Sequence, residues 1–431
     1  MAFLVGLLTH MLRWFSGALI FISVLCSLGV GFFDFSPSMP GSLQLISGCL
    51  LLHSVPSSVK RMSLLLVVCG VAALAAAPGS DNFFAVTSRN QELISMLAAV
   101  TFLRYSPRPL ITKKVPEGAP ALWQTLFGLH WFASVINLSA LIIFSDYLSD
   151  AQHRLSPFQG KMLSRGFSLA ALWSPFFVGT AVALTYSPGA DYWSLLLWGF
   201  PFSQVLLAGM IWMSIKRRSE EVNLFRGYSF SLLTLAPPLG LAIAVIIFHQ
   251  VYSQFSIPAI ITLLAPCYPL IANLKKGRFS IVKSYVSQDL PRMAPEIVLF
   301  VSSGVLGSGL KVLVSTLPVG LIPELSPWLL SSFGLAAILA ASCLGIHPVV
   351  GVVVVSGVVS QIHFMPNLLA LCFLFGWGLG VLVNPISGIH ILLSSRYSYP
   401  SERAWAYNLP FVCIAYFATC ILFWFVERAS C

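Results

Sequence analysis

The residues best suited to chemistry are a few polar side chains within long apolar segments. Two histidines share a Gly-x-His spacing, in Gly128-Leu-His130 and Gly345-Ile-His347. Histidine titrates near neutral pH, and ionisable side chains at membrane depth usually serve function. We therefore expect His130 and His347 to contact a solute and to carry protons for coupling.

Two proline-interrupted segments hold the other candidates. Ser174-Pro175 and Asn384-Pro385 lie inside apolar runs, where proline removes an N–H donor and clashes with the preceding turn. Each segment is expected to be a broken helix, with Ser174 and Asn384 capping the half-helix that follows. Half-helix N-termini favour anions. The complete predicted solute-binding set is His130, Asn137, Ser174, Pro175, Thr180, His347, Asn384, Ser387 and His390.

The composition defines the class of protein that must position these residues. Of 431 residues only 9% are Asp, Glu, Lys or Arg, and 57% are hydrophobic. Soluble domains carry roughly 25% charged residues, and disordered chains need low hydrophobicity. The sequence therefore predicts an all-α polytopic membrane protein. Its net charge of +10 is explained by basic cytoplasmic loops and does not require a nucleic-acid partner.

Thirteen apolar segments follow along the chain. A helix that crosses the bilayer needs about 20 residues, and two segments, 119–146 and 327–362, are too long for one straight crossing. Each contains a Gly-x-His, so we predict two re-entrant hairpins with these sequences at their tips, and about 11 transmembrane helices. The crossing segments are 14–33, 40–55, 61–77, 90–106, 167–186, 193–215, 227–252, 256–274, 293–312, 367–395 and 404–426.

The positions of the basic residues support this topology. With both hairpins re-entrant and the N-terminus cytoplasmic, 21 of the 24 Lys and Arg residues fall on the cytoplasmic side, as the positive-inside rule expects. The exceptions are Arg89, Lys311 and Arg428. The C-terminus is then periplasmic or extracellular, and the expected location is a bacterial inner membrane.

Short matches between the two halves of the chain indicate an internal repeat. Pro175 matches Pro385 at an offset of 210, and the two Gly-x-His sequences match at 217. We predict an extra first helix in 1–36 and two repeats of inverted topology, 37–217 and 218–431. The first repeat holds the hairpin 119–146 and the broken helix 167–186; the second holds the hairpin 327–362 and the broken helix 367–395. Paired broken helices are the layout of a secondary transporter with a midplane site.

This organisation resembles the ion transporter superfamily, especially divalent anion/sodium symporters and the membrane subunit of tripartite periplasmic (TRAP) transporters. Ser174-Pro-Phe-Phe and Asn384-Pro-Ile-Ser look like the Thr-Pro-Pro-Asn-type breaks of that family. The resemblance implies elevator-like transport. The hairpin tips depart from the family, since divalent anion symporters carry Ser-Asn-Thr there and this chain carries Gly-x-His, which favours protons over sodium.

Together these observations predict a secondary active transporter of a small anionic or polar organic solute, coupled to H⁺ or Na⁺. Membrane lipids are expected partners, no cofactor or metal is expected, and a homodimer is left open. A membrane scaffold or assembly subunit and an ion channel are the alternatives. An enzyme is not expected, because no H-E-x-x-H or G-x-S-x-G sequence occurs in the spans.

Overall fold

The computed structural model describes residues 2–76, 86–106, 116–217, 219–228, 236–273, 277–316, 325–359 and 364–430. Among these residues helices are the regular elements, and one isolated β-bridge joins Glu117 to Arg226. Parts of the predicted spans 61–77, 227–252, 256–274 and 327–362 lie outside the described residues.

In chain order, the α-helices are α1 (Ala2–Phe33), α2 (Ser38–Leu51), α3 (Ser57–Ala75), α4 (Gln91–Thr101), α5 (Gly118–Ile136), α6 (Leu138–Leu148), α7 (Pro157–Ala170), α8 (Val178–Tyr186), α9 (Tyr192–Arg217), α10 (Ser219–Asn223), α11 (Ala236–Val251), α12 (Ile257–Leu264), α13 (Cys267–Ala272), α14 (Arg278–Ser284), α15 (Ala294–Ser315), α16 (Pro327–Cys343), α17 (Pro348–Val359), α18 (Pro366–Val383), α19 (Gly388–Tyr397) and α20 (Ser401–Ser430).

Several of these helices have the length and apolarity of membrane spans. Within the described residues, six are long enough to cross: Met11–Phe33, Ser57–Ala75, Tyr192–Arg217, Phe279–Ser315, Pro366–Tyr397 and Trp405–Ala429. Five more apolar helices have 10–17 residues. On α3 the apolar residues Leu64, Leu65, Val68 and Val71 are exposed, as expected of a face in contact with lipid. The prediction of an all-α polytopic membrane protein is confirmed.

One predicted span is divided. The segment 256–274 forms two short helices, α12 and α13, separated by Ala265 and Pro266. Ser256 caps α12 by accepting a hydrogen bond from the Ala259 N–H (3.2 Å). Pro266 lacks an N–H and cannot continue the ladder of α12, so the chain ends one helix and begins the next.

The chain forms two compact units, each drawn from both halves of the sequence. Unit 1 comprises Met1–Pro107, Ile243–Ile322 and Ser356–Ile362. Unit 2 comprises Arg108–Ala242, Pro323–Val355 and His363–Cys431. The predicted boundaries near residues 36 and 217 separate repeats in the sequence, whereas the two units are compact groups in space. The repeat boundaries stay a prediction.

Unit 1 is held together by close contacts between helix backbones. On α15, a methyl group placed at Gly309 would lie 2.3 Å from the Gly70 carbonyl oxygen on α3, and one at Gly17 on α1 would lie 1.9 Å from the Val286 oxygen. Small residues allow such approaches between membrane helices. Val286 belongs to a π-helical turn, Tyr285–Asp289, that follows α14.

The first hairpin of unit 2 consists of α5 and α6. The chain turns at Asn137, which has φ 51°, a positive value that Asn adopts more readily than most residues. The rings of Phe132 and Phe144 lie 6.1 Å apart on the two arms, so the helices run antiparallel. The predicted tip at Gly128-Leu-His130 is wrong, because α5 continues through both Gly128 and His130. Neither residue prevents helix formation, and the chain turns only at Asn137.

The second hairpin consists of α16 and α17. Methyl groups placed at Gly334 and Gly351 would lie 3.1 Å from Val355 and Ile338 on the opposite arm, which defines an antiparallel pair. Here the Gly-x-His sequence does form the turn, because Gly345 has φ 84° and the next helix begins at Pro348.

Two broken helices complete the centre of unit 2. The first is α7 and α8 with residues 171–177 between them, and the second is α18 and α19 with Asn384–Ser387 between them. They cross where Ser168 Oγ donates a hydrogen bond to the Gly378 carbonyl. At the same crossing a methyl group on Gly179 would lie 2.7 Å from the Trp377 ring, so glycine is required for this approach.

The outer termini of the first hairpin lie at one end of unit 2. The Leu155 N–H donates to the Tyr397 carbonyl (3.1 Å), which brings the start of α7 and the end of α19 together. Glu117, before α5, forms an ion pair with Arg226 (3.2 Å). Because α5 and α6 are antiparallel, their outer termini lie at this same end.

The second hairpin begins at the opposite end of unit 2. Asn367 Oδ1 accepts a hydrogen bond from the Asp191 N–H (2.7 Å), which joins the end of the first broken helix to the start of the second. Pro327, at the start of α16, lines a cavity together with Pro366 and Val426. The two hairpins therefore begin at opposite ends of unit 2.

Candidate functional site

All nine predicted solute-binding residues belong to unit 2. They divide between the two breaks and the elements beside them. Hydrogen bonds at each break decide which of their polar atoms are already engaged and which can receive a ligand.

The second break is closed by Asn384 and His390. The Asn384 side chain donates from Nδ2 to the Ile346 carbonyl at the hairpin turn (2.9 Å) and accepts at Oδ1 from the Ile386 N–H (2.9 Å). His390 donates from Nδ1 to the Asn384 carbonyl (2.8 Å). Ser387, rather than Asn384, is the cap of α19, since its Oγ accepts from the His390 N–H (3.5 Å).

The first break has the same three contacts made by different side chains. Ser174 Oγ donates to the Ser134 carbonyl near the hairpin turn and accepts from the Phe176 N–H (3.1 Å). Thr180 Oγ1 donates to the Ser174 carbonyl (2.6 Å). Ser174 does not cap α8, whose N-cap position is Phe177 without a side-chain hydrogen bond. Pro175 is buried within this loop.

The side chains that make the two sets of contacts correspond at an offset of 210, and the hairpin carbonyls of Ser134 and Ile346 correspond at 212. Ser174 corresponds to Asn384 and Thr180 to His390, and α6 and α8 begin 210 residues before α17 and α19. In this register the partner of His347 is Asn137, so the match of the two Gly-x-His sequences at 217 is wrong. His130 and His347 occupy different structural positions.

His130 lies in a closed hydrogen-bond network within unit 2. Its ring is fully buried. Nδ1 lies 3.2 Å from the Gly166 carbonyl, which can only accept, and Nε2 accepts from Trp173 Nε1 (3.0 Å). The Gln204 amide lies 2.9 Å from the same Nε2. These contacts fit the neutral ring with its hydrogen on Nδ1, and a second proton on Nε2 would displace the Trp173 donor.

His347 is more open than His130. Its Nδ1 accepts from the Val349 N–H (3.3 Å) at the start of α17, so in the neutral ring the hydrogen lies on Nε2. The ring is partly exposed and contacts Trp377 edge-on, with centroids 5.1 Å apart. Nε2–H has no hydrogen-bond partner among the described residues.

His390 carries a buried ring nitrogen without a partner. Because Nδ1 donates to the Asn384 carbonyl, Nε2 is an acceptor in the neutral ring. Nε2 is buried and has no hydrogen-bond partner in the described part of the chain. A buried polar atom without a partner is costly in free energy, and among the nine predicted site residues, all of them described, His390 alone carries such a side-chain atom.

The two breaks differ in accessibility. Residues 171–180 of the first break are all buried, whereas Ile386 and Gly388 of the second are exposed and a methyl group on Gly388 would have no atom within 4 Å. Asn137 is partly exposed, and its side chain makes no capping hydrogen bond to α6.

Three residues of this region were not assigned a role from the sequence. Trp173 and Gln204 hold His130, and Trp377 lies between Gly179 of one broken helix and His347 of the other hairpin. Trp173 directly precedes the Ser-Pro break, a position that could have indicated it. Nothing in the spacing of Gln204 or Trp377 indicates their partners, which are distant in sequence.

Within the described residues no group of three or more His, Cys, Asp or Glu side chains is arranged to hold a metal ion. The polar groups of the site are ring nitrogens, hydroxyls, amides and backbone N–H groups. Such groups bind polar or anionic solutes by hydrogen bonds.

Comparisons with known proteins identify a similar solved structure. No protein-family model matches the sequence, and no curated protein matches it significantly. The chain is similar to the crystal structure of the Alcanivorax borkumensis YdaH transporter, at 12% sequence identity and a TM-score of 0.49. The similarity covers 85% of this chain and 96% of that one. Identity at this level transfers no substrate or coupling ion.

Proposed function

We propose that this protein is a secondary active transporter of a small anionic or polar organic solute, with the layout of the ion transporter superfamily. The observation that carries the proposal is the pair of breaks in unit 2. Both are joined to a hairpin by the same pattern of hydrogen bonds, the first to the Ser134 carbonyl near its turn and the second to the Ile346 carbonyl in its turn. Broken helices in a bilayer are tolerated where protein or a wet cavity satisfies the freed backbone groups, and transporters place their solutes there.

The hydrogen-bonding capacity of the second break supports a polar or anionic solute. His390 Nε2 can accept a hydrogen bond, and His347 Nε2–H can donate one. The open first turn of α19 at Gly388 adds the partial positive charge of a helix N-terminus. A solute with one hydroxyl or amine donor and one anionic group would use all three.

The two coupling candidates are not equivalent. His130 has both ring nitrogens engaged, so its protonation requires the loss of the Trp173 hydrogen bond. His347 is partly exposed and can gain a proton on Nδ1 by releasing one bond of 3.3 Å. We assign proton coupling to His347 and a structural role to His130, with sodium coupling as the alternative.

Unit 1 is the proposed scaffold, and unit 2 the moving element of an elevator-like cycle. This assignment is supported by the chain division, because both hairpin turns and both breaks belong to unit 2, although they come from different halves of the sequence. The inverted relationship of the two repeats is part of this proposal, and the hairpins that begin at opposite ends of unit 2 support it.

The test is uptake of radiolabelled carboxylates and hydroxy acids into proteoliposomes under imposed proton or sodium gradients. Two variants separate the functions of His390. In His390→Asn the amide can still donate to the Asn384 carbonyl but cannot reach the position of Nε2; in His390→Gln the amide oxygen can replace Nε2 as the acceptor. We expect His390→Asn to raise KM about tenfold or more, the loss of about one hydrogen bond in a desolvated site. His390→Gln should retain more uptake.

Gly209→Ala is the matched control, because a methyl group there has no atom within 4 Å. Its uptake should equal that of the wild type. Absence of saturable uptake of any compound by well-folded wild type would reject the transporter and favour the scaffold. Flux that does not saturate and cannot be driven by counter-transport would indicate a channel.

A further inference from the structure

Unit 1 contains a basic cavity that the transport site does not use. It has a volume of about 330 Å³ and is lined by Arg13, Ser287, Gln288, Pro291 and Arg292. Arg13 belongs to α1, and the other four belong to the π-helical turn and the segment that follows it. Irregular helical turns of this kind occur frequently at functional sites.

The backbone geometry explains why a cavity exists there. Gly17 brings α1 against the carbonyl of Val286, where a methyl group would lie 1.9 Å from the oxygen. One turn away, Arg13 faces the widened π turn. Gly17 also lies against Pro291, a lining residue of the cavity, since a methyl group there would be 3.2 Å from the proline ring.

The cavity keeps a net positive charge. Asp289 is 3% exposed and is shared by Arg104, by Arg292 (3.4 Å) and by the Tyr105 hydroxyl (2.5 Å). One carboxylate therefore faces two guanidinium groups. Arg13 makes no hydrogen bond or ion pair with the residues that the structure describes, and it is exposed. Guanidinium groups bind phosphate oxygens in a bidentate manner, and serine and amide donors complete such sites.

The surroundings of Arg13 indicate a lipid source for that phosphate. Met11, Trp14 and Phe15 on the same helix are 50% or more exposed, and tryptophan beside a basic residue is typical of the membrane–water interface. Arg13, Arg104 and Arg292 were all assigned to the cytoplasmic side from the sequence. We infer that this cavity binds the phosphate head group of an anionic phospholipid, with the acyl chains along the exposed face of α1.

The test uses the purified full chain in detergent, titrated with dioleoylphosphatidylglycerol or dioleoylphosphatidylcholine. Thermal unfolding and native mass spectrometry are the two measurements. We expect phosphatidylglycerol to raise Tm and to be retained in preference to phosphatidylcholine. The double variant Arg13→Gln/Arg292→Gln should bind phosphatidylglycerol roughly thirtyfold more weakly, as the removal of two interfacial basic residues predicts.

Two further variants distinguish the cavity from a general charge effect. Lys216→Gln/Arg217→Gln removes the same charge from α9 and should leave binding unchanged. Ser287→Phe keeps both arginines but fills the cavity, and it should weaken binding as the double variant does. Equal binding of the two lipids by the wild type, or equal losses in the two double variants, would overturn the inference. Stabilisation by inorganic phosphate through Arg13 and Arg292, without any by phosphatidylglycerol, would assign the cavity to a soluble phosphate and also overturn the lipid site.

Discussion

At the scale of single residues, three buried or half-buried histidines have three different hydrogen-bond states. His130 uses both ring nitrogens, His347 uses Nδ1, and His390 uses Nδ1 and leaves a buried Nε2 without a partner in the described part of the chain. Residue type alone does not separate them, because each is a histidine in an apolar segment. The proposed structural role of the first and the proposed ligand contacts of the other two rest on these partners.

Removal of the His130 ring should destabilise the protein. His130→Ala leaves the buried Trp173 N–H without its acceptor and should lower the free energy of unfolding by roughly 1–3 kcal/mol or more. Thermal unfolding in detergent measures the loss. His347→Ala is the comparison and should unfold within a few degrees of the wild type, because its ring is partly exposed, yet lose proton-driven uptake. If His130→Ala has an unchanged Tm but loses proton-driven uptake, His130 carries the coupling proton and the proposed structural role is wrong.

At the scale of elements, the two breaks reach the same geometry with different side chains. A serine hydroxyl can both donate and accept, and so can an asparagine amide, so Ser174 and Asn384 make the same pair of contacts at the two breaks. The hairpin turns differ in the same way, since Asn137 provides a positive φ in one and Gly345 in the other.

Substitution of Asn384 tests this equivalence. Asn384→Ser supplies the chemistry of the first break and should retain part of the uptake and stability. Asn384→Asp keeps the acceptor for the Ile386 N–H but places a carboxylate oxygen against the Ile346 carbonyl, so we expect loss of uptake and a lower Tm. Uptake and unfolding are measured on both. If the aspartate variant has uptake and a Tm equal to or higher than those of the serine variant, the bond to Ile346 does not stabilise the break.

The packing of α9 against the first break depends on a glycine. A methyl group at Gly199 would lie 2.2 Å from the Leu172 carbonyl oxygen, and backbone cannot move aside as a flexible side chain can. Gly199→Ala should therefore lower the free energy of unfolding by roughly 1–3 kcal/mol, the usual cost of overpacking. Thermal unfolding in detergent measures the difference.

Gly209→Ala on the same helix is the control for the Gly199 variant. It has open space and should be neutral or slightly stabilising, because alanine favours helix over glycine. Equal Tm values for the two variants would mean that α9 and the first break do not pack as described.

At the scale of the whole molecule, each of the two units is assembled from stretches that are separated in the sequence. Unit 2 contains both hairpin turns and both breaks. Unit 1 contains α1 to α4, α12 to α15, the second half of α11 and the end of α17. Within unit 2 the two hairpins begin at opposite ends. If both hairpins are re-entrant as proposed, this arrangement predicts that their starts are exposed on opposite faces of the bilayer.

Thiol labelling can locate the two hairpin starts. In a cysteine-free background, Glu117→Cys and Ser326→Cys should react with a membrane-impermeant thiol reagent from opposite sides, the first from the cytoplasm. Asp150 lies at the same end of unit 2 as Glu117, so Asp150→Cys should react with the reagent from the same side as Glu117→Cys. Labelling of the positions near 117 and 326 from the same side would reject the re-entrant topology.

Composition and apolar length were sufficient to predict the membrane class, because a chain with 9% charged residues cannot cover a soluble surface. Pro175 and Pro385 predicted the two breaks, since proline removes a helix hydrogen bond. The loss of that bond is a local effect, but Pro201 and Pro410 lie inside the continuous helices α9 and α20, so proline alone does not decide where a helix breaks.

Only the tertiary structure decided how the polar residues are used. The first hairpin turns at Asn137, with Phe132 packed against Phe144 across its arms, and no local signal at Gly128 or His130 stops α5. The partners of His130, including Trp173 and Gln204, are 43 and 74 residues away. The sequence predicted which histidines are candidates. Whether each ring nitrogen has a hydrogen-bond partner depends on such distant groups, so only the fold determined which histidine has a nitrogen without one among the described residues.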